Sequence, residues 1–141
     1  IMPRLVGSEM CIRDSIYSMI IGAGQSLNSS SNLFQKAVLE MRYLNKYFKG
    51  KDETILGLAV VGDLYVSAAG GRNSKMGSFL GKGFTFKNAK KRFMPKETVE
   101  GEELAREIAP FILKKIDKRK IPLMINLLKT IQENKKLKLK V

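Results

Sequence analysis

The sequence predicts an all-α fold, and three observations carry that expectation. Apolar residues return again and again at i, i+3, i+4 and i+7, the spacing that puts them on one face of a helix. Glycines and prolines fall where helices end or begin rather than inside the apolar stripes, Pro110 apart. No segment offers two alternating stretches joined by a short turn, as a hairpin would. The length of 141 residues suits one domain with a core of its own, and 44% hydrophobic residues is ordinary for such a domain.

In chain order, residues 1–15 show neither helical nor strand periodicity. The run from Arg4 to Ser15 resembles a translated sequencing adapter, so a non-native or disordered leader is expected, with native sequence upstream of Ile16 missing. Ile16–Ile21 is apolar nearly all round, which suits a buried helix or a buried strand. Gly22 and Gly24 after it suggest close approach to a neighbour. The polar, Ser-rich stretch from Gln25 to Asn32 reads as a loop. Phe34, Ala37, Val38, Met41, Leu44 and Phe48 then form the stripe of an amphipathic helix, with Gly50 just past its end as a C-cap. Asp52 can cap a short helix reaching Leu58.

Thr85 to Phe93 is a basic amphipathic turn or helix ended by Pro95. After Thr98-Val99-Glu100-Gly101, the residues Leu104, Ala105, Ile108, Phe111 and Ile112 make another stripe, in which Pro110 is expected to kink or shorten the helix. Pro122 sits in the first turn of a last helix, where proline is tolerated, and Met124, Leu127, Leu128 and Ile131 are its buried side. A main unit over residues 16–134 and a basic tail over residues 135–141, expected to fray, complete the division.

The formal net charge is +13, from 26 Lys and Arg against 13 Asp and Glu. Such a balance favours acidic partners without choosing among nucleic acid, anionic membrane and phosphorylated metabolites; a Lys-rich proteome gives the same balance with no function attached. With Cys11 the one cysteine and no histidine, an internal disulfide, a Cys-based zinc site and an imidazole base are excluded. No apolar run approaches the ~20 residues that span a bilayer, and neither a signal peptide nor a transit peptide is convincing, so a cytoplasmic protein is expected.

Chemistry concentrates in Gly62-Asp63-Leu64-Tyr65-Val66-Ser67-Ala68-Ala69-Gly70-Gly71-Arg72-Asn73. A Gly-Gly turn delivers Arg72 and Asn73 to the start of a helix-compatible segment, Ser74 to Leu80, closed by Gly81 and Gly83. Helix N-termini attract anions through free N–H groups and the dipole, and Arg adds a planar fork for phosphate. The blander alternatives are a solvated Arg on a Gly-rich turn, Asp63 as a helix cap, Ser67 filling space among small residues, and Glu100 serving the first turn of its own helix.

Several segments, taken in order, resemble the C-terminal domain of NAD(P)-dependent glycerol-3-phosphate dehydrogenase. They are Ile16–Gly24, Ala37-Val38-Leu39-Glu40-Met41, Gly57-Leu58-Ala59-Val60-Val61-Gly62-Asp63-Leu64, Gly70-Gly71-Arg72-Asn73, Met76-Gly77 through Leu80-Gly81-Lys82-Gly83, and Thr98-Val99-Glu100-Gly101. The resemblance implies an all-helical substrate domain of the 6-phosphogluconate-dehydrogenase C-terminal-like type, its N-terminal Rossmann domain missing here. It also implies hydride transfer between sn-glycerol 3-phosphate and dihydroxyacetone phosphate with NAD or NADP, and a homodimer for the full-length enzyme. By that resemblance Arg72 and Asn73 bind the substrate phosphate, Asp63 supports the catalytic lysine near the reacting hydroxyl, Ser67 bonds substrate, and Arg72 and Glu100 reach the cofactor.

Two departures stand out. The family's Lys-Asn pair falls on Asp14 and Ser15, so the catalytic lysine is absent, and no Gly-x-Gly-x-x-Gly follows a strand. The chain by itself is therefore expected to be inactive. The competing reading, from another class, is a small basic nucleic-acid-binding helical module, motivated by the charge and by Phe84, Phe86 and Phe93 among the lysines from Lys87 to Lys96. Membrane association through the Lys-rich C-terminal helix is weaker still, and neither nucleic acid nor membrane is the expected partner.

Overall fold

A computed structural model describes residues 15–48 and 61–139. Seven helices account for nearly all regular structure among them: α1 (residues 15–22), α2 (Leu27–Tyr47), α3 (Asp63–Ala69), α4 (Arg72–Gly81), α5 (Phe86–Phe93), α6 (Glu100–Lys115) and α7 (Pro122–Glu133). The described residues contain no strand, in keeping with the all-α expectation. The expected Gly50 cap and the Asp52 to Leu58 helix lie outside the described residues.

The short α1 is the axis of the molecule. Ile16, Tyr17, Met19 and Ile20 are wholly buried, which an all-round apolar helix requires. Of the two readings left open, helix is the one found. Its backbone meets α4 across a seam of small residues. A Cβ on Gly22 would strike the Ser74 backbone, one on Gly77 the Met19 carbonyl, and one on Gly81 the Ala23 carbonyl. Only glycine permits such an approach between helix backbones. This seam fixes the position of α4, and hence of Arg72 at its start.

On the opposite side α2 packs along α1 and α7. The phenol of Tyr17 donates to Glu40 Oε1 at 3.0 Å, and the N–H groups of Leu123 and Met124 donate to the same carboxylate at 2.7 and 3.1 Å. Pro122 occupies the first turn of α7 as expected, and the next two N–H groups, which have no partner inside the helix, are taken by Glu40 from α2. Phe48 stacks on Phe111 at 6.2 Å between centroids, and Phe34 meets Tyr65 edge-on at 6.1 Å, tying α2 to α6 and α3.

Two expectations are corrected. The Ser-rich stretch is not a loop: α2 begins at Leu27, with the Ser26 hydroxyl accepting from the Ser29 N–H at 3.1 Å as its N-cap. Serines there start the helix rather than interrupt it, and Leu33 is buried one turn further on. Of the two outcomes expected at Pro110, shortening is not seen: α6 runs through it to Lys115. Pro110 itself is exposed, while Ile108, Ala109 and Ile112 around it are buried, so packing on both sides of the proline outweighs the lost backbone bond. Beyond α7, Leu137 and Leu139 of the basic tail are partly buried against the core.

Around α5 the phenylalanines pack on one another. Phe79 stacks on Phe93 at 4.2 Å, Phe84 meets both edge-on, and the Arg92 guanidinium lies 5.4 Å from the Phe84 ring and 5.3 Å from that of Phe93. Phe86 is buried. These rings pack on one another, with the Arg92 guanidinium over two of them as a cation–π partner.

Candidate functional site

The site begins with the break between α3 and α4. Gly71 has φ +111°, a conformation that side-chain-bearing residues rarely adopt, and a Cβ there would meet little else. It is the backbone reversal, not crowding, that calls for glycine. The reversal starts α4 with Arg72 as its first residue. Among the described residues no side chain caps this helix, and its first turn holds no acidic residue. A helix start of this kind, with free N–H groups and a positive dipole end, can attract an anion.

The first turn of α6 arrives at the same place. The N–H of Gly101 donates to Asn73 Oδ1 at 2.8 Å, and Arg72 Nη2 lies 3.5 Å from Glu100 Oε1. Asn73 therefore spends its carbonyl oxygen on α6 and keeps the amide NH2, the donor end, for other use. Gly101 is buried, and a Cβ on it would press on the Met19 methyl, Asn73 Oδ1 and the Ser15 carbonyl. The start of α1, where the resemblance places the Lys-Asn pair, is thereby set against the starts of α4 and α6.

The side chains of Arg72 and Glu100 are 52% and 61% exposed, so their ion pair stands open to solvent. Asp63 is the exposed first residue of α3, behind Gly62 as N-cap, and Ser67 is half-buried one turn on, on the same face. The structure brings Arg72 to Glu100 and Asn73 to Gly101. Asp63 and Ser67 precede them on α3, connected by the turn at Gly70 and Gly71, and among the described residues no hydrogen bond or ion pair links their side chains to Arg72 or Asn73. Tyr65 and Val66, 68% and 71% exposed, flank this open end.

Two residues escaped the sequence reading. Gly101, beyond its part in the resemblance, is the donor that holds Asn73; a glycine in a helix's first turn, where it weakens the helix, was the available signal. Glu40 is the other. It is 5% exposed, and burial pushes its carboxyl from 4.5 up to about 7 against the pull of its three hydrogen-bond donors. The same burial, with the Glu40 charge beside it, raises the Tyr17 phenol well above 10. An acid at position 40, within the apolar stripe of α2, was visible without any hint of its partner 83 residues away.

The sequence profile described as the NAD-dependent glycerol-3-phosphate dehydrogenase C-terminus matches residues 15–141. A glycerol-3-phosphate dehydrogenase [NAD(P)+] of Onion yellows phytoplasma is 32% identical over 89 residues, covering 58% of this chain and 27% of that protein. One from Cupriavidus taiwanensis is 41% identical over 64 residues, covering 44% and 19%. Among solved structures, glycerol-3-phosphate dehydrogenase from Coxiella burnetii superposes with a TM-score of 0.77 at 25% identity, over 94% of this chain and 42% of that one. The chain thus spans 27% of the phytoplasma relative's length. With a profile matched over nearly its whole length, and the helices in the arrangement of a solved relative, the chain belongs to the family of the NAD-dependent glycerol-3-phosphate dehydrogenase C-terminus.

Proposed function

We propose that the chain is the substrate-holding part of a glycerol-3-phosphate dehydrogenase, which interconverts sn-glycerol 3-phosphate and dihydroxyacetone phosphate. The observation that carries this reading is the uncapped, acid-free start of α4, with Arg72 as its first residue and Asn73 anchored beside it by Gly101. A phosphate dianion there accepts from the Arg72 fork, from the Asn73 amide and from the free N–H groups of the first turn. Asp63 and Ser67 stand nearer the reacting carbon. In the whole enzyme Asp63 orients the lysine that takes the hydroxyl proton, and Ser67 bonds the substrate hydroxyl. Here the Lys-Asn pair falls on Asp14 and Ser15, so the chain holds substrate without that base.

The exposed guanidinium of Arg72 and carboxylate of Glu100 fit the edge of a nicotinamide dinucleotide, one toward its phosphates and one toward its hydroxyls. NAD or NADP, when bound, exchanges a hydride with the substrate carbon. We place the enzyme in the cytoplasm, as a homodimer in full-length form. Among the described residues no helix is long and apolar enough to cross a membrane.

The test joins residues 16–141 to the preceding part of the Onion yellows phytoplasma relative, its lysine included. The chimera is expected to oxidise NADH with dihydroxyacetone phosphate; a folded chimera without turnover overturns the reading. Within it, Arg72→Ala should raise KM about 10- to 100-fold, since a charge-assisted hydrogen bond contributes about 1.5–3 kcal/mol. An unchanged KM removes Arg72 from the phosphate site.

A further inference from the structure

The ion pair at the mouth of the site governs how Arg72 meets its ligand, an inference that rests on the phosphate reading of the α4 start. The neighbouring charges are engaged elsewhere. Lys75, in the first turn of α4, bonds Glu97 at 2.9 Å, and Arg106 bonds Glu102 at 3.1 Å within α6. Arg72 instead reaches across to α6 and meets Glu100 through one nitrogen–oxygen contact at 3.5 Å. That contact is long for a charge-assisted bond and uses half of the guanidinium fork. Both side chains are more than half exposed, so the pair is weak and exchanges readily.

We propose that Glu100 is a resident competitor for Arg72. It holds the guanidinium toward α6 while no anion is bound, and an arriving phosphate must displace it. Phosphate can do so because it offers two oxygens to the fork and the free N–H groups of α4 at once, whereas Glu100 offers a single oxygen from a helix start of its own. Glu100 thereby sets phosphate affinity without touching the phosphate. By holding the arginine toward α6 it makes weakly charged or singly coordinating anions poor ligands. Its role is positioning and selection, and it acts through Arg72.

The test titrates inorganic phosphate, and separately sn-glycerol 3-phosphate, into the 141-residue chain with 15N-labelled arginine, following the side-chain nitrogens of Arg72. Glu100→Gln should bind phosphate up to about fivefold tighter, the range open to an exposed ion pair. The Arg72 signals of free Glu100→Gln should differ from those of the free parent chain. Glu103→Gln, the same charge change in the same turn, controls for the general field. Tightening by Glu100→Gln alone, lost when combined with Arg72→Ala, supports the competitor. Equal tightening by both variants, or none by Glu100→Gln while Arg72→Ala still abolishes binding, overturns it and leaves the phosphate site standing. Phosphate binding indifferent to Arg72→Ala brings down the site itself.

Discussion

Glu40 lies against the first turn of α7 and Glu100 is the first residue of α6, so two carboxylates meet two helix N-termini. Their surroundings differ in every other respect. Glu40 is buried and receives three hydrogen bonds, two of them from backbone N–H groups of a helix far along the chain. Glu100 stands in solvent with one long contact to Arg72. The first joins three helices and leaves nothing free to bind. The second leaves its partner available. Around α1 the molecule thus has a closed side, where Glu40 places both oxygens on buried donors, and an open end at α4 and α6, where Arg72 and Glu100 share one exposed contact. Exposure of the paired charges, rather than the presence of charge, distinguishes the open end.

The largest effect is expected on the closed side. Glu40→Ala strands the Leu123 and Met124 N–H groups and the Tyr17 hydroxyl in the core. Leaving buried donors unpaired costs about 1–3 kcal/mol each, so a loss of about 3 kcal/mol or more is expected in urea unfolding at pH 6. A loss under about 1 kcal/mol would mean that water reaches these donors and that the two sides differ less than their geometry says.

Titration sharpens the same contrast. The folded Glu40 carboxyl titrates at about 7 against 4.5 unperturbed, so between these values the unfolded chain has released a proton that the folded one keeps. Stability should therefore fall as pH rises through this window, by about 3 kcal/mol in all, and level off above it. The raised Tyr17 phenol has the same sign and brings a second decline above pH 10. Glu40→Gln should flatten the first window, while Glu100→Gln should leave it in place. Denaturant midpoints measured from about pH 4 to 8 decide this, and a slope that persists in Glu40→Gln assigns it to another group.

The same contrast explains what could be read in the residues before any coordinates. The stripes of α2, α6 and α7 were legible because helical burial is periodic: all four expected residues of α7 are buried, while Phe34, Val38 and Phe48 of α2 and Leu104 and Phe111 of α6 lie only partly buried at the edge of the core. The open end was legible because Gly71, Arg72 and Asn73 are neighbours in the chain and one local turn assembles them. Glu40 was not, because its partners lie 23 and 83 residues away and nothing local reports them. The start of α2 was misread for a related reason: serine favours both loops and N-caps, and burial of Leu33 decides between them. Pro110 was weighed by its own backbone cost, whereas α6 is held by buried residues on either side.

The smallest effect should come from the turn that presents the open end. Gly71→Ala places a Cβ on a residue at φ +111°, with no neighbour closer than the Ser67 carbonyl at 3.8 Å. The strain is conformational alone, about 1 kcal/mol, and the chain has two ways to relieve it. If the turn keeps its shape, unfolding shows the ~1 kcal/mol loss and phosphate binding is retained. If it rotates toward negative φ, α4 begins elsewhere, Arg72 leaves Glu100, and phosphate affinity falls while stability hardly changes. The seam where Gly22, Gly77 and Gly81 meet opposing backbone holds the rest of α4 on α1, so a shift is confined to its first turn. The first outcome is therefore expected. Chemical shifts of Gly101, whose N–H is held by Asn73, report it directly, since they move only if the first turn of α4 moves.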